Sequence, residues 1–175
     1  ALALAAGLCA CAPGGVSAED ATVYVRGLID QTYLGQFDAD YLALVDSTEE
    51  EAQEIYSSNL DVDVENFAAY YAIDTVTDEL REEIRALYQA MYAKANFEVQ
   101  DAVRDGDAAS YSIVVVVEPL DIYQRVDAAL EEVLDSFHAE YFAEHPEALE
   151  STGEPGDPAY DAYDAAYAQT ILDLF

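Results

Sequence analysis

The chain has 175 residues and a net charge of −31, because thirty-seven acidic residues stand against only six basic ones. A surface this negative repels the phosphate backbone of DNA or RNA, which excludes nucleic acid as a partner. It also repels anionic lipid headgroups, so we expect any contact with a membrane to pass through an attached lipid. The composition is nevertheless 53% hydrophobic, with fourteen Tyr and six Phe, so the chain can bury a core and should fold.

The first eleven residues resemble the end of an export signal. Ala1–Leu8 is apolar and uncharged, and it is too short to span a bilayer as a helix. Leu8–Cys11 resembles a bacterial lipobox, in which an aliphatic residue lies three positions before the cysteine and a small residue lies directly before it. The sequence therefore predicts a signal peptide remnant at residues 1–10, with Cys11 lipidated after cleavage and residues 11–17 as a short tether.

A second interpretation of this stretch is a buried apolar N-terminal helix, in which Cys9 and Cys11 are small core residues or a disulfide pair. The Pro and Gly residues that follow at once disfavour a continuing helix. No cysteine occurs after Cys11, so residues 18–175, which we expect to form a single acidic domain, must be held together by packing.

Helix signals dominate the chain up to residue 96. Ser17 and Asp20 form a capping box that predicts a helix from about Ala18 to Leu34, where Gly35 ends it. Asp40 is placed to cap a short helix over residues 41–45. Thr48 is placed to cap a long helix. The apolar stripe of this helix consists of Ala52, Ile55, Tyr56, Leu60, Val64, Phe67 and Tyr71. Thr77 is placed to cap the next helix.

After residue 96 the spacing of the apolar residues changes from a helical pattern to the alternation that is typical of strands. Alternation over 97–101 and 111–117, with turn residues around Gly106, predicts an antiparallel β-hairpin. Since Val114 and Val116 are apolar like their neighbours, we expect the second strand to be central in its sheet or buried on both faces, and to be the least exposed segment of the chain.

Two further helices complete the predicted fold. Asp121 is placed to cap one that ends before Pro146, and Asp157 with Pro158 opens the last. The fold class is therefore α+β and mostly helical, with amphipathic helices packed on the hairpin. An isolated hairpin is marginal in water, so we expect it to belong to a larger sheet, truncated here at the C-terminus, with further strands beyond Phe175.

Three segments, Tyr33–Asp38, Ser47–Ala52 and Glu118–Ile122, together with the lipobox and the order of the elements, resemble a group of surface lipoproteins from gut Firmicutes. The resemblance covers nearly the whole chain. It implies a surface-anchored domain of unassigned function, related to the cystatin-like or NTF2-like α+β folds. It implies no catalytic residue.

Candidate catalytic and metal sites are sparse. The acidic run Asp61–Asn66 lacks the glycine and the bidentate glutamate of an EF-hand loop, so it is better interpreted as the polar side of a helix. His138 and His145, the only histidines, have no nucleophile motif beside them and are interpreted as surface residues. The sequence therefore assigns no catalytic residue, no cofactor and no metal ligand.

Two function classes remain. The first is a non-enzymatic binding or interaction module anchored to the outer face of the bacterial cell membrane, with an extracellular carbohydrate or peptide as ligand. Tyrosines such as Tyr160, Tyr163 and Tyr167 could supply stacking platforms for it, or could simply surround the core with their hydroxyls in water. The second is an exported carboxylate-dependent hydrolase of the glycosidase type, which a buried carboxylate pair with shifted pKa values would favour.

Overall fold

The computed structural model describes the backbone of residues 2–4 and the whole of residues 15–106 and 110–175. These ranges contain six α-helices and four β-strands, which are β1 (Leu2–Leu4), α1 (Ala18–Ile29), α2 (Ala39–Leu44), α3 (Glu49–Tyr71), α4 (Asp78–Tyr92), β2 (Phe97–Val99), β3 (Val103–Arg104), β4 (Tyr111–Val117), α5 (Ile122–Glu144) and α6 (Pro158–Leu172). The fold is mostly helical α+β with a small antiparallel sheet, which confirms the predicted class. No helix in the described residues is long and apolar enough to cross a membrane.

The described chain divides into two compact units. The first comprises residues up to Asn59 together with Gln89–Pro119, and the second comprises Leu60–Tyr88 together with Leu120–Phe175. Helices α3 and α4 each contribute residues to both units. The single domain predicted over residues 18–175 stays a prediction.

Side-chain caps begin the helices where the sequence predicts them, with two exceptions. Ser17 and Asp20 form the predicted capping box of α1, and Thr48 exchanges hydrogen bonds with Glu51 at the start of α3. Asp38, and not Asp40, caps α2 by accepting from the backbone N–H of Asp40 and Tyr41, so this helix begins two residues earlier than predicted. Asp121 makes no side-chain capping bond to α5.

Helix α1 continues into a π-helical turn, Asp30–Leu34, which ends at Gly35 as the sequence predicts. Gly35 has a φ of 60° there. Glycine is also needed at Gly27, because a Cβ atom at that position would lie 2.1 Å from Cγ of Tyr41. The missing side chain lets the buried ring of Tyr41 lie directly against α1.

The sheet is organised around β4. Strand β1 pairs with it antiparallel, with Leu2 opposite Val115, and β2 and β3 both pair with it as the other arm of a hairpin. Between Val99 and Val103 the hairpin arm has one residue more than the facing stretch of β4, from Val115 to Ser112. The extra residue is the signature of a β-bulge.

Only one face of β4 is buried. Ile113 and Val115 form a core cluster with Ala21 and Val25 of α1, whereas Val114 and Val116 are 46% and 37% exposed. The prediction that the strand is central in its sheet is confirmed, because β1 and β2 flank β4. The alternative of burial on both faces and the expectation that β4 is the least exposed segment are wrong. The apolar character of Val114 and Val116 reflects the β-propensity of valine and not burial.

One-sided burial of β4 makes a matched pair of substitutions informative. Val115→Asp places a charge in the α1–sheet core with no basic partner and should lower the free energy of unfolding by several kcal/mol, of a total of about 5–15 kcal/mol. Val116→Asp adds the same charge on the exposed face and should cost about 1 kcal/mol. Urea unfolding followed by circular dichroism measures both, and equal losses would contradict the one-sided assignment.

Candidate functional site

The predicted lipidation residue, Cys11, lies outside the described residues, as does the rest of the lipobox. Lipidation at Cys11 therefore stays a prediction. The described residues do include surfaces that can be compared with the other part of the hypothesis, which is that the protein binds a carbohydrate or peptide.

Helices α5 and α6 of the second unit carry an aromatic cluster, which consists of Phe137, His138, Tyr141, Phe142, Tyr160, Tyr163 and Tyr167. At its centre Tyr163 stacks on Phe142, with ring centroids 5.6 Å apart and an interplanar angle of 13°. Tyr163 also stacks on Tyr167 at 6.1 Å. The three tyrosines of α6 share one helix face, as the sequence predicts.

The contribution of α5 to this cluster follows from helical spacing that the sequence hypothesis did not use. Phe137 and Tyr141 are four residues apart, as are His138 and Phe142, so two adjacent rows of rings face α6. Phe142 had no role in the sequence hypothesis. The i, i+4 spacing of His138 and Phe142 is the signal that could have found it.

A hydrogen bond orients the central tyrosine. The Tyr163 hydroxyl lies 2.9 Å from Nε2 of His138, and burial raises the pKa of Tyr163, with Tyr167 and Asp164 contributing further. His138 is half-buried within the cluster, which differs from the predicted surface position. His145 is exposed, as predicted, and lies 3.3 Å from Glu147.

Beside this cluster is a cleft of about 230 Å³, which we call the aromatic cleft. Phe142, Tyr160 and Tyr163 supply its rings, and Ser151 and Gly153 of the α5–α6 connection supply hydroxyl and backbone groups. Each of the two tyrosines is half-buried, so part of each ring is open to solvent. The cleft thus combines apolar ring surface with hydrogen-bonding groups.

The connection that forms one side of the cleft is held by Asp157, the N-cap of α6. Its carboxylate accepts hydrogen bonds from the backbone N–H of Thr152 and of Ala159, each at 2.9 Å. These bonds favour the ionised form and lower the pKa of Asp157 to about 2. The loop conformation around Ser151 and Gly153 therefore depends on a carboxylate that stays charged near neutral pH.

A second carboxylate fixes the other side of α6. Asp164 is only 2% exposed, and its two oxygens accept from the backbone N–H of Asp74 at 3.3 Å and of Thr75 at 2.7 Å. The Tyr160 hydroxyl donates to the carboxylate of Asp74. This bond, followed by burial and by the charge of Asp74, raises the pKa of Tyr160 to about 12.

The aromatic cleft does not offer the carboxylate pair that a glycosidase needs. No carboxyl lines the aromatic cleft, and Asp164 is bound to backbone N–H groups through both oxygens. Glu51 lines another cleft, but hydrogen bonds from Thr48 and Ser47 lower its pKa. A general acid needs a raised pKa, so Glu51 has the wrong shift for that role.

The acidic run at Asp61–Asn66 belongs to α3, as the sequence interpretation proposed. Asp61 forms ion pairs with Arg81 and Arg85 of α4, and Glu65 pairs with Arg81 at 3.1 Å. Within the ranges that the structure describes, no group of three His, Cys, Asp or Glu side chains is placed to hold a metal ion.

Comparisons of the chain with protein-family models, with curated proteins and with solved structures find no match.

The bond between Tyr160 and Asp74 generates a test of how α6 is held. A phenol whose pKa is raised from 10 to about 12 on folding adds stability below pH 10 that is lost as the pH rises through 12. Asp74→Asn removes the neighbouring charge, so one tyrosine should titrate closer to its ordinary pKa. Asp78→Asn removes an equal charge nearby in the chain and is the control.

The measurement is the tyrosinate absorbance of each variant as the pH is raised. The Asp74→Asn curve should gain amplitude near pH 10, where wild type and Asp78→Asn should coincide. Identical curves for the two variants would mean that Asp74 does not control the ionisation of Tyr160.

Proposed function

We propose that the protein is an exported, lipid-anchored, non-enzymatic binding module on the outer face of the bacterial cell membrane. The lipobox at Leu8–Cys11 supports the anchoring. The surface lipoproteins that the chain resembles support the same location.

The anchor and the protein surface have separate roles in this proposal. Covalent lipid contributes about 0.8 kcal/mol for each buried CH₂ group, whereas a surface with a net charge of −31 is repelled by anionic headgroups. The lipid on Cys11 therefore holds the chain at the membrane. The folded residues stay in the water phase, where their clefts are accessible to a ligand.

The observation that supports binding is the aromatic cleft, with rings of Phe142, Tyr160 and Tyr163 beside the hydroxyl of Ser151. The C–H faces of a sugar ring pack on aromatic rings, while its hydroxyls bond to groups such as Ser151. The volume of about 230 Å³ is below the 300–1,000 Å³ typical of drug-sized ligands, so it suits a single small ring.

A proline-rich peptide is the competing ligand. Peptides of this kind adopt a polyproline II helix and lie along an aromatic groove over several residues. A cleft of about 230 Å³ is too small for such a segment. The dimensions therefore favour a carbohydrate, and we assign one sugar unit to the aromatic cleft. No described carboxyl lines it, so we propose binding there and not hydrolysis.

Anchoring is tested by growth with labelled palmitate. The wild-type protein should be labelled and should fractionate with membranes, whereas Cys11→Ser should be unlabelled and either released or retained as a longer precursor. Cys9→Ser is the matched control, because position 9 lies within the segment that cleavage removes. Equal labelling of wild type and Cys11→Ser would contradict lipidation at Cys11.

Carbohydrate binding is tested by filling the aromatic cleft. Ala159 lines the cleft and Ala162 is exposed on the same helix without lining it. Ala159→Trp should abolish the binding of whichever disaccharide of a panel, such as cellobiose, maltose and chitobiose, binds the wild type in NMR titrations. Ala162→Trp adds the same ring elsewhere and should leave the dissociation constant unchanged.

The same panel includes a proline-rich decapeptide. Binding of that peptide with no response to any disaccharide would overturn the carbohydrate assignment. Unchanged disaccharide binding by Ala159→Trp would place the ligand outside the aromatic cleft.

A further inference from the structure

The first unit contains a larger cleft, of about 640 Å³, which we call the Gln31 cleft. The residues that matter for its chemistry are Gln31, Tyr41, Val45, Asp46, Glu54 and Ile55. They come from the π-helical turn, from α2 and its C-terminal end, and from α3. The volume is within the range of cavities that hold small molecules.

The side chain of Gln31 contributes a largely buried amide to this cleft. Gln31 is only 4% exposed, and its carboxamide has no hydrogen bond to any other described residue. An amide that lacks protein partners is stable only where it reaches solvent or a ligand, and the Gln31 amide atoms are not among the fully buried atoms without a hydrogen bond. Because Gln31 lines the cleft, the cleft is where its two N–H donors and its carbonyl oxygen are open.

Gln31 lies in the π-helical turn that follows α1. In this turn, Asp30–Leu34, the backbone N–H of Gly35 donates to the carbonyl of Asp30, five residues earlier. Such a turn inserts one residue into the helical ladder and rotates the side chains that follow. Turns of this kind are frequent at functional sites.

The charge around the cleft has one sign. Asp46 and Glu54 line it, and neither carboxylate has an ion pair or a hydrogen bond to another described residue. Glu51 also lines it, but its carboxylate is bound to Thr48 and Ser47. No Lys or Arg is among the lining residues, so the cleft attracts a cation and repels an anion.

An apolar wall lies beside these carboxylates. Ile55 was expected in the buried stripe of α3, yet it is 48% exposed and lines the cleft. Val45 and the ring of Tyr41 extend the same apolar surface. A fully hydrated metal ion would gain nothing from this wall, whereas an organic cation could bury hydrocarbon against it.

We propose that the Gln31 cleft binds a small organic ammonium ion that carries an apolar ring or chain. The ammonium group pairs with Asp46 and Glu54, the hydrocarbon packs on Val45 and Ile55, and a polar group of the ligand bonds to the Gln31 carboxamide. This site does not depend on lipid anchoring or on the aromatic cleft.

The test uses the full chain and three probes of similar shape, at fixed ionic strength. Phenethylammonium is the cation, 2-phenylethanol is the neutral analogue and phenylacetate is the anion. We expect isothermal titration calorimetry to show binding of the cation at least about tenfold tighter than binding of either analogue. Equal affinity for the cation and the neutral probe would overturn the proposal.

Two variants locate the site. Glu54→Gln should weaken cation binding roughly fivefold or more, whereas Glu50→Gln removes an equal charge one helical turn away, outside the cleft, and should change it less than about twofold. Equal weakening by both variants would mean that the total negative charge attracts the probe without a site, which contradicts the proposal.

Gln31→Met keeps the length of the side chain and removes the amide. It should fold, as circular dichroism and the unfolding midpoint will show, and it should lose affinity for a probe that adds a hydroxyl to the cation, such as phenylethanolamine, while still binding phenethylammonium. Unchanged affinity for both would exclude Gln31 from ligand contact and overturn its assigned role.

The outcomes also separate this site from the proposed function. Ala159→Trp should bind phenethylammonium as wild type does. If the cation binds and no disaccharide does, the carbohydrate assignment fails while the Gln31 cleft stands, and the reverse pattern overturns only the Gln31 cleft.

Discussion

The shortage of basic side chains is the constraint on which the rest of this structure depends. With thirty-seven acidic residues and six basic ones, most carboxylates cannot form an ion pair. Asp61 and Glu65 pair with arginines, but other carboxylates accept hydrogen bonds from backbone N–H groups at helix starts. Examples are Asp20, Glu51 and Asp157. These hydrogen bonds lower the pKa of Asp20, Glu51 and Asp157, so the caps stay ionised where other carboxyls begin to protonate. Asp30 has the opposite shift, because burial raises its pKa.

Local signals explain how much of the fold could be predicted. Caps and turn residues act within a few positions of the chain, so Ser17, Thr48, Gly35 and the pair Asp157–Pro158 begin or end helices where the sequence places them. Asp38 and Asp40 are both acceptable caps for α2, and the choice between them depends on backbone geometry that the residue types do not show. The type and approximate bounds of the helices were therefore predictable, but the first residue of α2 and the strand β1 were not.

Burial was harder to predict because it depends on what lies opposite each face. Valine favours a strand whether or not its side chain is covered, so the run of valines in β4 could not show that α1 packs on Ile113 and Val115 alone. The same ambiguity affects Ile55, which fits the apolar stripe of α3 by spacing yet is 48% exposed. For both β4 and α3 the spacing of the apolar residues was identified correctly, but the faces that other elements cover were not.

The two clefts differ in how far they could be predicted from the sequence. They also differ in the ligands that they would select. The aromatic cleft is built from rings at helical spacing, which a sequence reveals, and no carboxyl lines it. Under the proposed function, selection there comes from ring shape and hydroxyl contacts. The Gln31 cleft depends on a π-helical turn and on the placement of one largely buried amide, and neither feature has a residue-level signal. Its carboxylates have no ion pair to another described residue and lie beside an apolar wall. Under our proposal, charge excludes anions, and hydrocarbon contact separates organic cations from hydrated metal ions. Because one cleft selects by shape and the other by charge, a single small molecule has no reason to bind both with similar affinity.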